Sequence, residues 1–126
     1  KRTEKNDLII DAYNANPTSM KASLEFFSSV PTTLPKMVIL GEMKELGASA
    51  GEEHQRMIEF LEKHPFDRVA LVGKIFKELS LSGLDYAVHE DVEGLIESLE
   101  EAPVKKHYIL LKGSHSVRLE KAIDYL

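Results

Sequence analysis

A chain of 126 residues with 43% apolar and 29% charged side chains, at a formal net charge of −5, is one domain with material for a real core rather than a disordered tail. The acidic balance argues against nucleic acid, whose phosphates favour a basic face, and no apolar run approaches the ~20 residues that cross a bilayer. Cysteine is absent, which excludes disulfides, thiolate metal sites and a cysteine nucleophile; with no signal peptide at the start, a cytoplasmic protein is expected, with neither nucleic acid nor membrane as a partner.

Strand-like and helix-like stretches alternate along the chain. Leu8 to Asp11 is a short apolar run ending on an acid, and Asn16-Pro17 then opens a helix. Asn16 is suited to cap it, and Pro17 fits the first helical position, where no donor is needed. Pro35 to Gly41 reads as a second, buried strand. Ser49 and Glu52 have capping-box spacing before a helix that carries Met57, Ile58 and Leu61 on one face and stops at Pro65. Arg68 to Gly73 is a third strand, followed by a short helix with Ile75, Phe76 and Leu79 inward and Gly83 just beyond its end. Tyr86 to Val88 is a weaker fourth strand, and Val92, Leu95, Ile96 and Leu99 give a helical stripe. Tyr108 to Leu111 runs into Lys112-Gly113-Ser114, and Leu119, Ala122, Ile123 and Leu126 predict a last helix. Such alternation predicts an α/β fold: a Rossmann-like open, mostly parallel sheet of five or six strands, with helices on both faces. Residues 1–7 are too short and polar to place; an added edge strand and a linker both fit.

Three strand ends carry candidate chemistry. Asp11, Tyr13, Asn14 and Asn16 crowd the carboxyl edge of the first strand, where open α/β sheets hold their ligands and an acid is placed to bind a ribose hydroxyl. Turn chemistry explains the same residues about as well, and for Asn16 alone capping is the better reading. Gly41-Glu42-Met43-Lys44-Glu45-Leu46-Gly47 follows the second strand, and a solvated connection is its simplest reading. Lys112-Gly113-Ser114-His115-Ser116 offers a cation, a flexible glycine and hydroxyls before a helix, an arrangement suited to an anion or carboxylate. Capping by Ser114 or Ser116 is the alternative, although Lys112 is not needed for it.

The five histidines lack the H-x-x-x-H spacing of a helical metal pair, so no metal ligands are assigned, and His54 reads as a half-buried packing residue. Neither G-x-x-x-x-G-K-[ST] nor G-x-G-x-x-G occurs, so the chain has a ligand edge but no phosphate cradle of its own.

Together, D-A-Y-N-A-N-P-T-S-M (11–20), G-E-M-K-E-L-G (41–47) and L-K-G-S-H-S (111–116) resemble the C-terminal domain of a Mur ligase over essentially the whole chain. The Y-N-A-N-P element is most similar to the type that adds D-alanyl-D-alanine to UDP-N-acetylmuramoyl-tripeptide in peptidoglycan precursor synthesis. Glu42 stands where that family more often has aspartate, and His115 where an arginine is usual. The resemblance implies that residues 1–126 form the third domain of an ATP- and Mg2+-dependent, amide-forming enzyme. Its partners would be its own N-terminal UDP-sugar domain and a central P-loop domain. The carboxylate would be activated as an acyl phosphate and attacked by the dipeptide amine. Asp11, Tyr13, Asn14 and Asn16 would then be nucleotide-binding, Lys112 and Ser114 would face D-alanyl-D-alanine, and no catalytic residue falls within the chain, which alone would be inactive. Two other readings remain open: a stand-alone α/β nucleotide- or protein-binding module, and the C-terminal domain of another ATP-dependent amide ligase, such as a folylpolyglutamate synthase-like enzyme.

Overall fold

The computed structural model describes residues 1–12, 14–79, 81 and 85–126. Five strands form one sheet: β1 (Asp7–Asp11), β2 (Lys36–Gly41), β3 (Arg68–Val72), β4 (Ala87–His89) and β5 (Tyr108–Lys112). They run parallel in the order β1-β5-β2-β3-β4. The helices are α1 (Pro17–Ser29), α2 (Ala50–Lys63), α3 (Lys74–Glu78) and α4 (Val92–Glu101). The predicted α/β fold is the one observed, with five strands.

Alternation along the central strands divides the core in two. In β2, Val38 and Leu40 face a cluster with Met20, Leu24 and Phe27 of α1, Met57, Ile58 and Leu61 of α2, and Phe76 of α3. Met37 and Ile39 face the opposite cluster, with Val92, Leu95 and Leu99 of α4 and Leu119, Ala122 and Leu126 of the C-terminal segment. A strand buried on both faces reads as a continuous apolar run, which is how 37–40 and 109–111 look in the sequence. β1 and β2 therefore lead to helices on one face, while β5, lying between them, leads to the other. The connections part there, which makes the β1/β5/β2 edge a topological switch point.

Several local expectations need correction. Asn16 does cap α1, accepting from the Ser19 amide at 2.9 Å while Ser19 Oγ accepts from the Asn16 amide. Ser49 makes no such cap: a 3-10 turn, Gly47–Ser49, feeds straight into α2, Ser49 already has helical backbone angles, and Glu52 pairs with Arg56 instead. The predicted last helix is two 3-10 segments, His115–Val117 and Leu119–Tyr125, separated by Arg118 at φ 62°. The reason lies in reach. A 3-10 helix rises ~2.0 Å per residue against ~1.5 Å for an α-helix, and Leu126 must extend far enough for its carbonyl to accept from Thr3 Oγ1 (2.6 Å) and Asn6 Nδ2 (2.8 Å). The fourth strand is shifted one residue, to Ala87–His89. In α3 only Phe76 is fully buried, with Ile75 and Leu79 partly so. Gly83 lies outside the described residues.

The N-terminal residues form neither a full strand nor a free linker. Arg2 makes one antiparallel bridge to Asp7, and buried Asn6 ties three segments together. Its Nδ2 donates to the carbonyls of Val104 and Leu126, and its Oδ1 accepts from the His107 amide.

At the switch point the backbones of β2 and β5 nearly touch. A Cβ on Gly113 would lie 2.9 Å from Gly41 Cα and 3.0 Å from Leu119 Cδ1, so the first contact is backbone and cannot yield. Gly113→Ala should lower the stability of the chain by about 1–3 kcal/mol in urea unfolding. Gly51→Ala, where a Cβ meets nothing within 4 Å, should leave it unchanged or slightly raised. Equal stabilities for the two variants would show that the strand ends are not held by this approach.

Candidate functional site at the carboxyl edge of the sheet

Asp11 and Lys112 close adjacent strands β1 and β5 in register, so their side chains leave the same face of the sheet. Lys112 is only 2% exposed, yet its ammonium is satisfied: Nζ donates to Asp11 Oδ2 at 2.5 Å and to the Asn14 carbonyl at 3.2 Å. The Asp11 side chain remains 45% exposed, so the carboxylate is held from below and open to solvent above. Asn14 and Asn16 are exposed beyond it, in the turn that leads to α1. The β1 end thus presents a fixed acid on an open edge rather than inside a cavity.

The turn after β2 is a solvated connection only in part: Lys44, Glu45 and Gly47 are exposed, but its start is not. Gly41, Glu42 and Met43 are all buried. Glu42 Oε2 accepts from the Ile75 amide at 3.2 Å and its Oε1 takes the Lys44 ammonium at 2.5 Å. Gly73, at φ +141°, makes room for this carboxylate; a Cβ there would stand 2.6 Å from Glu42 Oε2. Beneath the turn lies His54, fully buried rather than half-buried. The Met43 amide donates to His54 Nε2 at 2.9 Å, and Nδ1 faces the Ala50 carbonyl at 2.6 Å. An amide can only donate and a carbonyl only accept, so the ring is the neutral Nδ1–H tautomer. Burial pushes its pKa below the ordinary 6.5, outweighing the hydrogen bond to Ala50 and the nearby Glu42, which favour the proton.

Residues 1–115 match the sequence family described as Mur ligase, glutamate ligase domain. The chain belongs to that family. It is 36% identical, over 94% of its length, to the UDP-N-acetylmuramoyl-tripeptide--D-alanyl-D-alanine ligase of Rickettsia prowazekii, and 31% identical over 94% to the ligase of the same name in Bacillus subtilis. Each match covers 27% of the relative, so the chain spans about a quarter of the length of these proteins. Among solved structures, MurF from Acinetobacter baumannii superposes with a TM-score of 0.79 at 26% identity, over 98% of this chain and 28% of that one. The MurF ligase from Thermotoga maritima, in complex with ADP, gives 0.73 at 26% identity, covering 98% and 29%. The resemblance read from three strand-end motifs is thus a family relationship, with the C-terminal domain of the D-alanyl-D-alanine-adding type.

Within this Mur ligase domain the predicted site residues divide between two strand ends. Asp11, Asn14 and Asn16 follow one another at the end of β1, and Lys112, which the resemblance set toward D-alanyl-D-alanine, donates to Asp11 and to the Asn14 carbonyl. Tyr13 lies outside the described residues. Asn16 Oδ1 is committed to its helix cap. Ser114 is buried at the end of β5, its amide directed at the Glu42 carbonyl (3.4 Å) and its hydroxyl 3.3 Å from Ser116 Oγ; it makes no side-chain helix cap. Beyond Ser116, a recess of about 400 Å³ opens between the ends of β2, β3 and β4, lined by charges of both signs including Glu42, Lys74, Glu93 and Lys121. Among the described residues no three histidines or acids gather closely enough to hold a metal ion. Among the described residues, too, no helix is long and apolar enough to cross a membrane. Glu42 and His54 are the residues whose parts the sequence concealed, because their partners lie on other elements.

The His54 clamp predicts a pH signature. With the folded pKa depressed below 6.5, the unfolded chain takes up this proton first as pH falls, so the contribution of His54 is complete above about 6.5 and is lost as pH drops through the folded value. His54→Gln, which cannot titrate, should cost about 1–3 kcal/mol at pH 8. The difference from the parent should narrow steadily toward pH 5 in parallel unfolding curves. A constant difference across that range would mean that His54 is not held neutral.

Proposed function

We propose that this chain acts as the C-terminal domain of an ATP-dependent ligase that joins D-alanyl-D-alanine to UDP-N-acetylmuramoyl-tripeptide during cytoplasmic synthesis of peptidoglycan precursors. An N-terminal UDP-sugar domain and a central P-loop domain would complete the enzyme. The observation that carries this reading is identity to ligases of that name over nearly the whole chain, with the family's motifs collected on one edge of the sheet. Supporting it, one structural relative is in complex with ADP, and this chain has no phosphate cradle of its own.

In this scheme Asp11 accepts from the ribose hydroxyls of ATP, with Tyr13, Asn14 and Asn16 along the nucleotide. An ionised carboxylate suits that task because hydrogen bonds to charged acceptors are the strong ones. The dipeptide enters on the β5 side, toward Ser114. The neighbouring recess carries both signs of charge, which fits a zwitterion with an ammonium at one end and a carboxylate at the other. Lys112, which the resemblance set toward the dipeptide carboxylate, has its ammonium on Asp11 and the Asn14 carbonyl. The reacting carboxylate becomes an acyl phosphate before the dipeptide amine attacks it, since a free carboxylate is a poor electrophile. This domain contributes orientation and exclusion of water, as closing domains do. No side chain of this chain is placed on the reacting atoms.

Purified alone, the 126-residue chain should release no phosphate from ATP above background. In the full-length ligase, Asp11→Asn leaves an oxygen for Lys112 but removes the charge facing the ribose. Its kcat/KM for ATP should fall by the equivalent of about 1.5–3 kcal/mol, with a smaller loss of melting temperature than in Asp11→Ala. Asp11→Ala should lose melting temperature as well, because it leaves a buried ammonium without its partner. Unchanged ATP kinetics in both variants would reduce Asp11 to a turn residue.

A further inference from the structure

We infer that Lys112 is a positioning residue for the nucleotide: it acts through Asp11 and the Asn14 carbonyl, and not on the dipeptide. This rests on the reading of Asp11 as the ribose acceptor.

Three observations carry it. First, Lys112 is among the largest fully buried side chains of the molecule, at 2% exposure, and a group so enclosed cannot meet a substrate without leaving its pocket. Second, the ammonium is already bound on two sides, at 2.5 Å by Asp11 Oδ2 and at 3.2 Å by the Asn14 carbonyl. Those acceptors stand at the start and in the middle of the β1–α1 turn, so a single cation braces both. Third, the two strands that carry the pair are hydrogen-bonded in register, Asp11 opposite Lys112, which fixes where the ammonium can go. An exposed aspartate on an edge strand would otherwise sample several rotamers. Drawing one of its oxygens down onto a buried cation selects one of them and leaves the carboxylate facing outward at 45% exposure. The backbone of the turn is set by the same contact.

The recess lined by Ser116 supports the division. The charged groups that line the 400 Å³ recess include Lys44, Lys74, Arg118 and Lys121, but not Lys112. Each of the four stands beside an acid, yet their side chains are 45–77% exposed, so a substrate carboxylate can reach them as it cannot reach Lys112.

The test compares Lys112→Met, Asp11→Ala and the double variant in the full-length ligase, with ATP and 2′-deoxy-ATP each varied against saturating dipeptide, and dipeptide varied against saturating ATP. Lys112→Met should raise the KM for ATP, by up to about a hundredfold for a misplaced binding group. It should also shrink the preference for ATP over 2′-deoxy-ATP toward unity while the KM for D-alanyl-D-alanine stays within about twofold. Loss of general stability would not move that preference, so the ratio separates positioning from mere destabilisation. The double variant should discriminate no worse than Asp11→Ala, since Lys112 has nothing left to aim. Should Lys112→Met fail to fold, Lys112→Gln, which keeps a donor but neither the charge nor the reach, carries the same comparison. A raised KM for dipeptide with intact ATP discrimination would overturn the inference and place the ammonium on the dipeptide. Additive losses in the double variant would overturn it as well. If Asp11→Ala itself leaves ATP discrimination unchanged, the ribose reading of Asp11 fails first, independently of Lys112.

Discussion

The insertion of β5 between β1 and β2 is the constraint on which the rest of this domain depends. It buries Ile109, Leu110 and Leu111 between both helical layers. It also brings Gly113 against Gly41 and Lys112 against Asp11. A side chain on Gly113 would force the two strand ends apart, and the lysine would then lose its register with the acid. The same insertion divides the connections between the two faces of the sheet, opening the edge at which ligands of such sheets collect. Packing and site geometry are here one arrangement.

Around that edge, charge is handled in two ways. At β1 a buried cation supports an acid that remains half open to solvent. At β2 a buried acid, Glu42, is closed in by the Ile75 amide, the Lys44 ammonium and the space left by Gly73. The first leaves binding capacity on the surface, whereas the second uses it to join the ends of β2 and α3. Below the second arrangement His54 fixes Met43 through a ring that must stay neutral. A burial-depressed pKa serves a hydrogen bond here and not proton transfer. The depressed pKa of His54 thus goes with a fixed turn beneath the edge of the sheet.

What could be read in the sequence was what depends on near neighbours. Asn16, Pro17 and Ser19 specify the start of α1 within four residues, and the structure has that cap. The apolar runs of β2 and β5 announced their burial on both faces. Spacing along the C-terminal segment was less informative, because an inward stripe at i and i+3 suits both a 3-10 and an α-helix. The choice was made by Thr3 and Asn6, more than a hundred residues away. The Asp11–Lys112 pair, 101 residues apart, was hidden for a related reason: strand order is not written in either segment. In the sequence Lys112 stands without a visible partner, and the fold supplies Asp11. His54 had been placed correctly on an apolar face, but its hydrogen bond to Met43 belongs to a turn whose path the composition did not disclose.

On the proposed function, the openness of the β1 edge becomes intelligible. A nucleotide held between two domains needs each of them to offer a rigid half-site, since any freedom left in the smaller half must be lost when the domains close. Neither G-x-x-x-x-G-K-[ST] nor G-x-G-x-x-G occurs in this chain. Its share is a carboxylate whose rotamer is already chosen and a turn whose backbone is already braced, both by one buried ammonium. The entropy of ordering these groups is lost when the domain folds, so closure over a nucleotide does not have to supply it. A lysine at this position therefore contributes most when it never touches the ligand.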